Sequence, residues 1–103
     1  GDDTPDGVWH GYHYRILDAQ GASAPRGAYA YLLGDNMSRG FGLVAWPARY
    51  GDSGVMTFIV SHDGEVFEKD LGPDSAKQAQ AMPAFDPDSS WEEVKDTATA
   101  ATR

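Results

Sequence analysis

The chain of 103 residues carries a net charge of −8, no cysteine and 41% hydrophobic residues, which suits one domain with a modest core. The excess of acids repels nucleic-acid phosphates and anionic membrane surfaces, and no Lys/Arg cluster offsets it. The lack of cysteine excludes disulfides and thiolate chemistry, and the longest apolar stretches are too short to span a membrane. We therefore expect a globular domain with no nucleic-acid partner and no membrane insertion.

Changes in composition divide the chain into three segments. The first eight residues are polar, acidic and rich in turn-forming types, and the last nine show no apolar period. The residues between them hold the apolar and aromatic runs. We therefore predict a flexible arm over residues 1–8, a single β-rich domain over 9–94 and a frayed tail over 95–103.

Five short runs predict β-strands, because they contain aromatic and β-branched residues and are bounded by turn residues. In the first run, alternation places Tyr12, Tyr14 and Ile16 on one face. The second run is ambiguous, since Ala and Leu also favour a helix, but its shortness and the turn that follows favour a strand. Pro47, which lacks an N–H group, ends the third run. The five runs are residues 12–17, 28–33, 40–46, 55–60 and 65–69.

The fourth and fifth runs predict a hairpin, and the nearly continuous apolar character of the fourth predicts a central strand. Asp63 and Gly64 form the turn signal between them. The sequence leaves two registers open, because a two-residue turn pairs Val60 with Phe67 whereas a bulged turn pairs Val60 with Val66.

The C-terminal part changes to helix-forming residues. Residues 74–82 begin with an Asp/Ser N-cap and stop at Pro83. Residues 86–94 predict a second short helix, with Asp86 as its N-cap and Pro87 in its first turn. The predicted fold class is therefore α+β: an antiparallel β-meander of about five strands followed by one or two short C-terminal helices.

Three polar motifs have both a chemical and a structural interpretation. GDSG (51–54) matches the surroundings of a serine-protease nucleophile at Ser53, but the chain is about half the length that family uses, so a turn is favoured. His10 and His13 are three apart, which on a strand sends them to opposite faces and disfavours zinc. The acids of 63–70 fit a turn and a solvated strand edge better than a calcium loop. We predict no catalytic residue, no metal site and no cofactor.

Aromatic residues are the richest feature of the sequence. Most of them are expected in the core, because a small sheet has few other ways to bury apolar area. The functional alternative is a Tyr/Trp surface for a glycan or a protein partner, since these side chains suit half-exposed interface positions. The candidate binding residues are Trp9, Tyr12, Tyr14, Tyr29, Tyr31, Trp46 and Tyr50.

The order of motifs from Trp9 to Val94 resembles the C-terminal part of a bacterial family of unknown function, DUF2950. The motifs are HGYHYRILDAQG, GAYAYLL, GFGLVAWPARYGDSGVMTFIVSHDGEVFEKDLGPD and FDPDSSW. The resemblance implies export to the periplasm or the extracellular space, because family members look like envelope proteins with a signal peptide and a further region ahead of this one. It implies no catalytic residues. The pattern is also similar, more weakly, to the globular heads of type IV pilins and pseudopilins, which pack on a long N-terminal helix.

The expected function is therefore that of an exported bacterial envelope domain, a non-catalytic structural or interaction module. Its expected partner is another protein or a missing N-terminal segment of the same precursor, with a homo-oligomer as a further option. The alternatives are the head of a pilin-like filament subunit and a weak hydrolase. The hydrolase would use Ser53, or a histidine and a metal with the acids of the 62–70 hairpin.

Overall fold

A computed structural model describes residues 10–95 of the chain. The predicted arm over residues 1–8, the candidate binding residue Trp9 and residues 96–103 of the predicted tail lie outside the described residues. The elements are β1 (Tyr12–Leu17), β2 (Ala19–Gln20), β3 (Tyr29–Ala30), β4 (Gly42–Pro47), β5 (Thr57–Ser61), β6 (Val66–Lys69), a 3-10 turn (Gly72–Asp74), α1 (Ser75–Gln80) and β7 (Glu92–Glu93).

Five of the strands form one antiparallel sheet in the order β1-β4-β5-β6-β7, and β2 pairs with β3 beside it. The predicted α+β fold with an antiparallel sheet and a short helix near the C-terminus is confirmed. β5 is the central strand, as predicted. Val60 lies opposite Val66, so the bulged alternative of the hairpin is the correct one. Gly64 permits it by adopting a φ of 87°, where a side chain would be strained.

Two predicted elements differ from the structure. The strand predicted over 28–33 is reduced to Tyr29–Ala30. The side chain of the next residue, Tyr31, is buried, and the chain then turns between Leu33 and Asn36, whose backbones hydrogen-bond each other. The helix predicted over 86–94 is wrong. Asp88 accepts a hydrogen bond from the Ser90 N–H at 2.9 Å and fixes a turn, after which Glu92–Glu93 pair with β6. The free edge of β6 thus outweighs the local helix signals.

The core lies between one face of the sheet and α1. We call this side of the sheet the covered face, and it includes Arg15 and Leu17 of β1, Val44 and Trp46 of β4, and Thr57 and Ile59 of β5. The buried cluster consists of Leu17, Ala24, Val44, Trp46, Ile59, Ala79 and Phe85, with Phe67, Met82 and Trp91 packed against it.

The end of α1 is held by a side chain from the sheet. The predicted Asp/Ser N-cap does not form, since no side-chain hydrogen bond caps the helix start. Instead, the Arg15 guanidinium donates to the Ala79 carbonyl at 2.9 Å and to the Met82 carbonyl at 2.5 Å. A cation at the carboxyl end also matches the helix dipole. Arg15 therefore ties the edge strand to the helix that covers the core.

The loop between β2 and β3 is organised by one buried amide. Gln20 is 3% exposed, and its Nε2 donates to the carbonyls of Pro25 at 2.6 Å and Gly27 at 2.8 Å. Its Oε1 accepts from the Tyr31 hydroxyl at 3.0 Å. Burial of Gln20 is tolerated because its amide is almost completely hydrogen-bonded.

Candidate functional site

The sheet has a second face, which points away from α1 and which we call the open face. Because side chains alternate along a strand, the register assigns every second residue to it. Within residues 10–95, the one α-helix packs on the covered face and leaves the open face without a second layer. The open face consists of Tyr12, Tyr14 and Ile16 of β1, Leu43, Ala45 and the buried Pro47 of β4, Phe58 and Val60 of β5, Val66 and Glu68 of β6, and Glu92 of β7.

The β1 side of the open face is apolar and in contact with water. Ile16 is 53% exposed and Tyr14 is 38% exposed, and Leu43 and Val60 beside them are half-buried. Ile59, the neighbour of Val60 on the covered face, is only 1% exposed. A contiguous apolar surface of this kind is typical of an interaction site rather than of an ordinary domain surface.

One end of the open face carries a shallow depression of about 230 Å³, lined by His10, Tyr12, Ala45 and Phe58. The Tyr12 ring reaches across β4, where the small side chain of Ala45 leaves room. It lies 5.8 Å from the Phe58 ring, centroid to centroid. The Tyr12 hydroxyl donates to the Met56 carbonyl at 2.9 Å, so this ring is fixed before any partner binds.

The Tyr12 ring, which lines the depression, packs against Gly54 in the loop before β5. A Cβ atom on Gly54 would lie 2.3 Å from the Tyr12 hydroxyl oxygen, so the loop can approach the ring only because this side chain is absent. Burial raises the pKa of Tyr12, and the carboxylate of Glu68 adds to that rise. Tyr12 is thus a neutral, positioned wall of the depression at physiological pH.

The far side of the open face is acidic. Glu68 and Glu92 lie directly opposite each other on β6 and β7. Like charges in this position destabilise a sheet. Among the described strands, no Lys or Arg belongs to the open face, since Arg15 and Lys69 lie on the covered face. Lys69 donates instead to the Ser90 hydroxyl at 2.8 Å.

The candidate aromatic residues are not brought together on one surface. Tyr12 and Tyr14 lie on the open face. Tyr31 and Trp46 are 0% and 1% exposed, so the expectation that they belong to an exposed aromatic surface is corrected. Tyr31 turns inwards because its hydroxyl bonds Gln20, and Trp46 belongs to the core cluster.

The remaining candidates lie at other edges of the domain. The Tyr29 hydroxyl donates to the Arg39 carbonyl at 3.1 Å. The Tyr50 hydroxyl donates to Asp70 at 2.7 Å, and this bond raises the pKa of Tyr50. Trp9 is outside the described residues. For Tyr12, Tyr14, Tyr29 and Tyr50, a role in binding stays a prediction.

Sequence reasoning missed most of the open face. The alternation in β1 grouped Tyr12, Tyr14 and Ile16 correctly. Phe58 and Val60 were not recognised, because the run 55–60 is apolar at nearly every position and shows no period of two. The pairing with β4 supplies that information, since it places Phe58 opposite Ala45, next to β1.

Ser53 and His62 make structural contacts. The Ser53 hydroxyl donates to the Gly11 carbonyl at 2.7 Å and accepts from the Arg49 N–H at 3.0 Å, so it fixes a turn. His62 packs edge-on against the Tyr31 ring at 5.4 Å. Within residues 10–95, no three His, Cys, Asp or Glu side chains are arranged to hold a metal ion. In the same part of the chain, no helix has the length and apolar character needed to cross a membrane.

These features define an α+β domain with one packed face and one apolar, acid-edged face. The chain belongs to the family DUF2950, described as a protein of unknown function, which matches residues 2–94. The family resemblance is thereby confirmed. No curated protein and no solved structure matches the chain, and the likeness to pilin heads stays a prediction.

Proposed function

We propose that this domain is a non-catalytic interaction module of the bacterial envelope that binds a protein partner through the open face. The proposal depends on the exposure of Ile16 and Tyr14 on the edge strand β1, beside the apolar side chains of β4 and β5. A stable sheet normally buries its apolar face against a second layer, and a partner can supply that layer. Each Å² of apolar surface covered in this way contributes about 25 cal/mol.

The fixed geometry of the face supports binding rather than chemistry. Tyr12 is held by Met56 and Phe58, so little conformational freedom is lost when a partner docks. The hydroxyl of Ser53 is already engaged in a turn, where it donates to the Gly11 carbonyl and accepts from the Arg49 N–H. This engagement favours a structural role for Ser53 over the nucleophile that the serine-hydrolase alternative needs.

The envelope location rests on the family resemblance rather than on the fold. We expect the natural gene product to be found in the periplasmic or extracellular fraction and to be accessible to protease added outside the inner membrane. A product confined to the cytoplasmic fraction would remove this part of the proposal without touching the open face.

Site-specific photo-crosslinking tests the interaction itself. A photoreactive amino acid is placed at Ile16 in the natural gene product and expressed in the organism that encodes it. Leu33 is the matched control, because it is also apolar, is 56% exposed and lies in a turn outside the strands of the sheet. We expect a discrete protein adduct from position 16 and none from position 33.

Other crosslinking results would contradict the proposal or change it. No adduct at position 16, or the same adducts at both positions, would refute the open face as a docking surface. An adduct whose mass equals two copies of the chain would replace the protein partner by self-association.

A further inference from the structure

We infer that the partner covers the open face with an amphipathic α-helix whose apolar stripe is flanked, on the β6 and β7 side, by Lys or Arg. The inference rests on the proposed function and specifies the chemistry of the partner. It follows from three observations: the apolar strip on β1, β4 and β5, the width of that strip, and the pair of carboxylates beside it.

Two carboxylates beside the apolar strip favour a partner with basic side chains. Glu68 and Glu92 face each other across β6 and β7, next to the apolar strip. On the strands that the structure describes, the cations Arg15 and Lys69 belong to the covered face, so the strands place no cation beside these acids. A partner that brings a Lys or Arg relieves their repulsion, whereas a partner with acids at this place is rejected.

The width of the apolar strip fits one helix. β1, β4 and β5 are adjacent, so the strip spans two strand spacings, about 10 Å. An α-helix with its side chains has a diameter of about 10–12 Å. A helix centred over β4 therefore covers Ile16 on one side and Val60 on the other, and its flank reaches the acids of the next strands.

A helix suits this surface better than an extended segment. Its backbone groups are hydrogen-bonded internally, so none is left unpaired against apolar side chains. Helix on sheet is also the arrangement already present on the covered face, where α1 packs over β4. The open face would then complete a sandwich of helix, sheet and helix.

Other occupants fit the charges less well. The open face of a second copy brings the same two carboxylates and a net charge of −8, so it adds repulsion rather than a cation. An anionic lipid surface is repelled for the same reason. A basic, amphipathic protein segment meets both the apolar and the acidic part of the face.

Two synthetic helices test this chemistry with the domain itself. Both have about 18 residues and the same Leu/Ala stripe, and they differ only in carrying Lys or Glu along one flank. Fluorescently labelled peptides are titrated with the domain at low and at moderate salt. We expect the Lys peptide to bind about tenfold more tightly at low salt, with a smaller preference as salt rises.

Charge variants separate a local effect from the overall acidity of the chain. The double variant Glu68→Gln/Glu92→Gln should reduce the preference for Lys to about threefold or less. Its matched control is Asp35→Asn/Asp74→Asn, which removes the same charge at two exposed sites away from the open face and should keep the preference.

Apolar variants test the position of the helix. Tyr14→Ser/Ile16→Ser should weaken both peptides by about tenfold or more, because the stripe loses its contact. Leu33→Ser, which removes an exposed apolar side chain elsewhere, should leave both affinities unchanged.

The inference is overturned if both peptides bind equally at low salt, if neither binds, or if the two charge variants lose the preference to the same extent. It is also overturned if sedimentation equilibrium shows a dimer that Ile16→Ser abolishes. A protein adduct at position 16 without a preference for Lys would leave the proposed function standing and remove only this inference.

Discussion

Both faces of the sheet carry apolar side chains, but these side chains differ in how far they are exposed to water. Ile59 on the covered face is 1% exposed, whereas Ile16 on the open face is 53% exposed. The covered face is closed by α1 and by the segment around Phe85. The core of the domain is therefore one-sided, since only one face of the sheet has a second layer within the described residues.

The charged residues show the same division. On the covered face, one terminal nitrogen of the Arg15 guanidinium caps the carboxyl end of α1. On the open face, Glu68 faces Glu92 and weakens the local pairing. Arg15 thus has its partners within the domain, whereas Glu68 and Glu92 carry the charges that the proposed partner would neutralise.

The largest expected effect comes from truncating the same residue type on the two faces. Ile59→Ala should lower the free energy of unfolding by about 2–5 kcal/mol, because it leaves a cavity in the core. Ile16→Ala should lower it by about 0.5 kcal/mol or less, because the side chain is half in water. Urea denaturation of both variants checks the comparison, and equal losses would contradict a one-sided core.

The next effect concerns the tie between β1 and α1. Arg15→Ala should cost about 1.5–3 kcal/mol, since it removes charge-assisted hydrogen bonds to the helix end. The control is Arg49→Ala, whose ion pair with Asp52 is exposed and should contribute about 0.5 kcal/mol or less. Hydrogen exchange of the α1 amides should accelerate in the first variant only. Unchanged exchange in both would refute the role of Arg15.

A third prediction uses pH. Burial raises the pKa of Tyr31 to about 12 from an ordinary value of 10.0, with smaller contributions from Tyr29 and Asp63. The folded state therefore holds this proton more tightly than the unfolded state, so its contribution to stability is complete below pH 10 and is lost as the pH rises towards 12.

The matching variant is Tyr31→Phe. At neutral pH it should cost about 1 kcal/mol, because Gln20 loses the hydroxyl that donates to its Oε1. In denaturation curves recorded at increasing pH, its loss of stability in the alkaline range should be shallower than that of the wild type. A parallel decline of the two proteins would show that Tyr31 does not titrate as described.

The smallest effect concerns the paired acids Glu68 and Glu92 on the open face. Glu68→Gln should raise the free energy of unfolding by about 0.2–1 kcal/mol, because it removes the repulsion with Glu92. The gain should shrink at high salt. It should also lower the pKa of Tyr12, whose rise owes part to the Glu68 charge. A destabilised variant would mean that Glu68 has a favourable partner.

Much of the sheet could be predicted from sequence because local patterns coincide with it. The alternation of residues 12–17 and the turn at Asp63 and Gly64 act over a few residues, and both elements form where expected. The failures at residues 28–33 and 86–94 have a common cause. In each, local propensity is overruled by distant contacts, the burial of Tyr31 in one and the pairing with β6 in the other.

The candidate surface was predictable only in part for the same reason. The sequence shows that Tyr14 and Ile16 share a face, but not which face α1 will cover. Nor could it show that Trp46 would be buried while Tyr14 stays exposed, since both are aromatic residues in strands. The position of the helix across the sheet decides this, and it depends on contacts far apart in the chain.

The buried amide of Gln20 has a consequence for how this domain can change. A carboxylate at that position could not donate to the carbonyls of Pro25 and Gly27, and an alanine would leave both of them and the Tyr31 hydroxyl unsatisfied. One buried side chain thus ties the two ends of this loop together without a covalent crosslink. Further bonds to the loop come from backbone donors, the Gly21 N–H to the Phe85 carbonyl at 2.8 Å and the Ser23 N–H to Asp86 at 2.9 Å, so the exposed side chains of Ala22 and Ser23 can be exchanged without loss of these bonds.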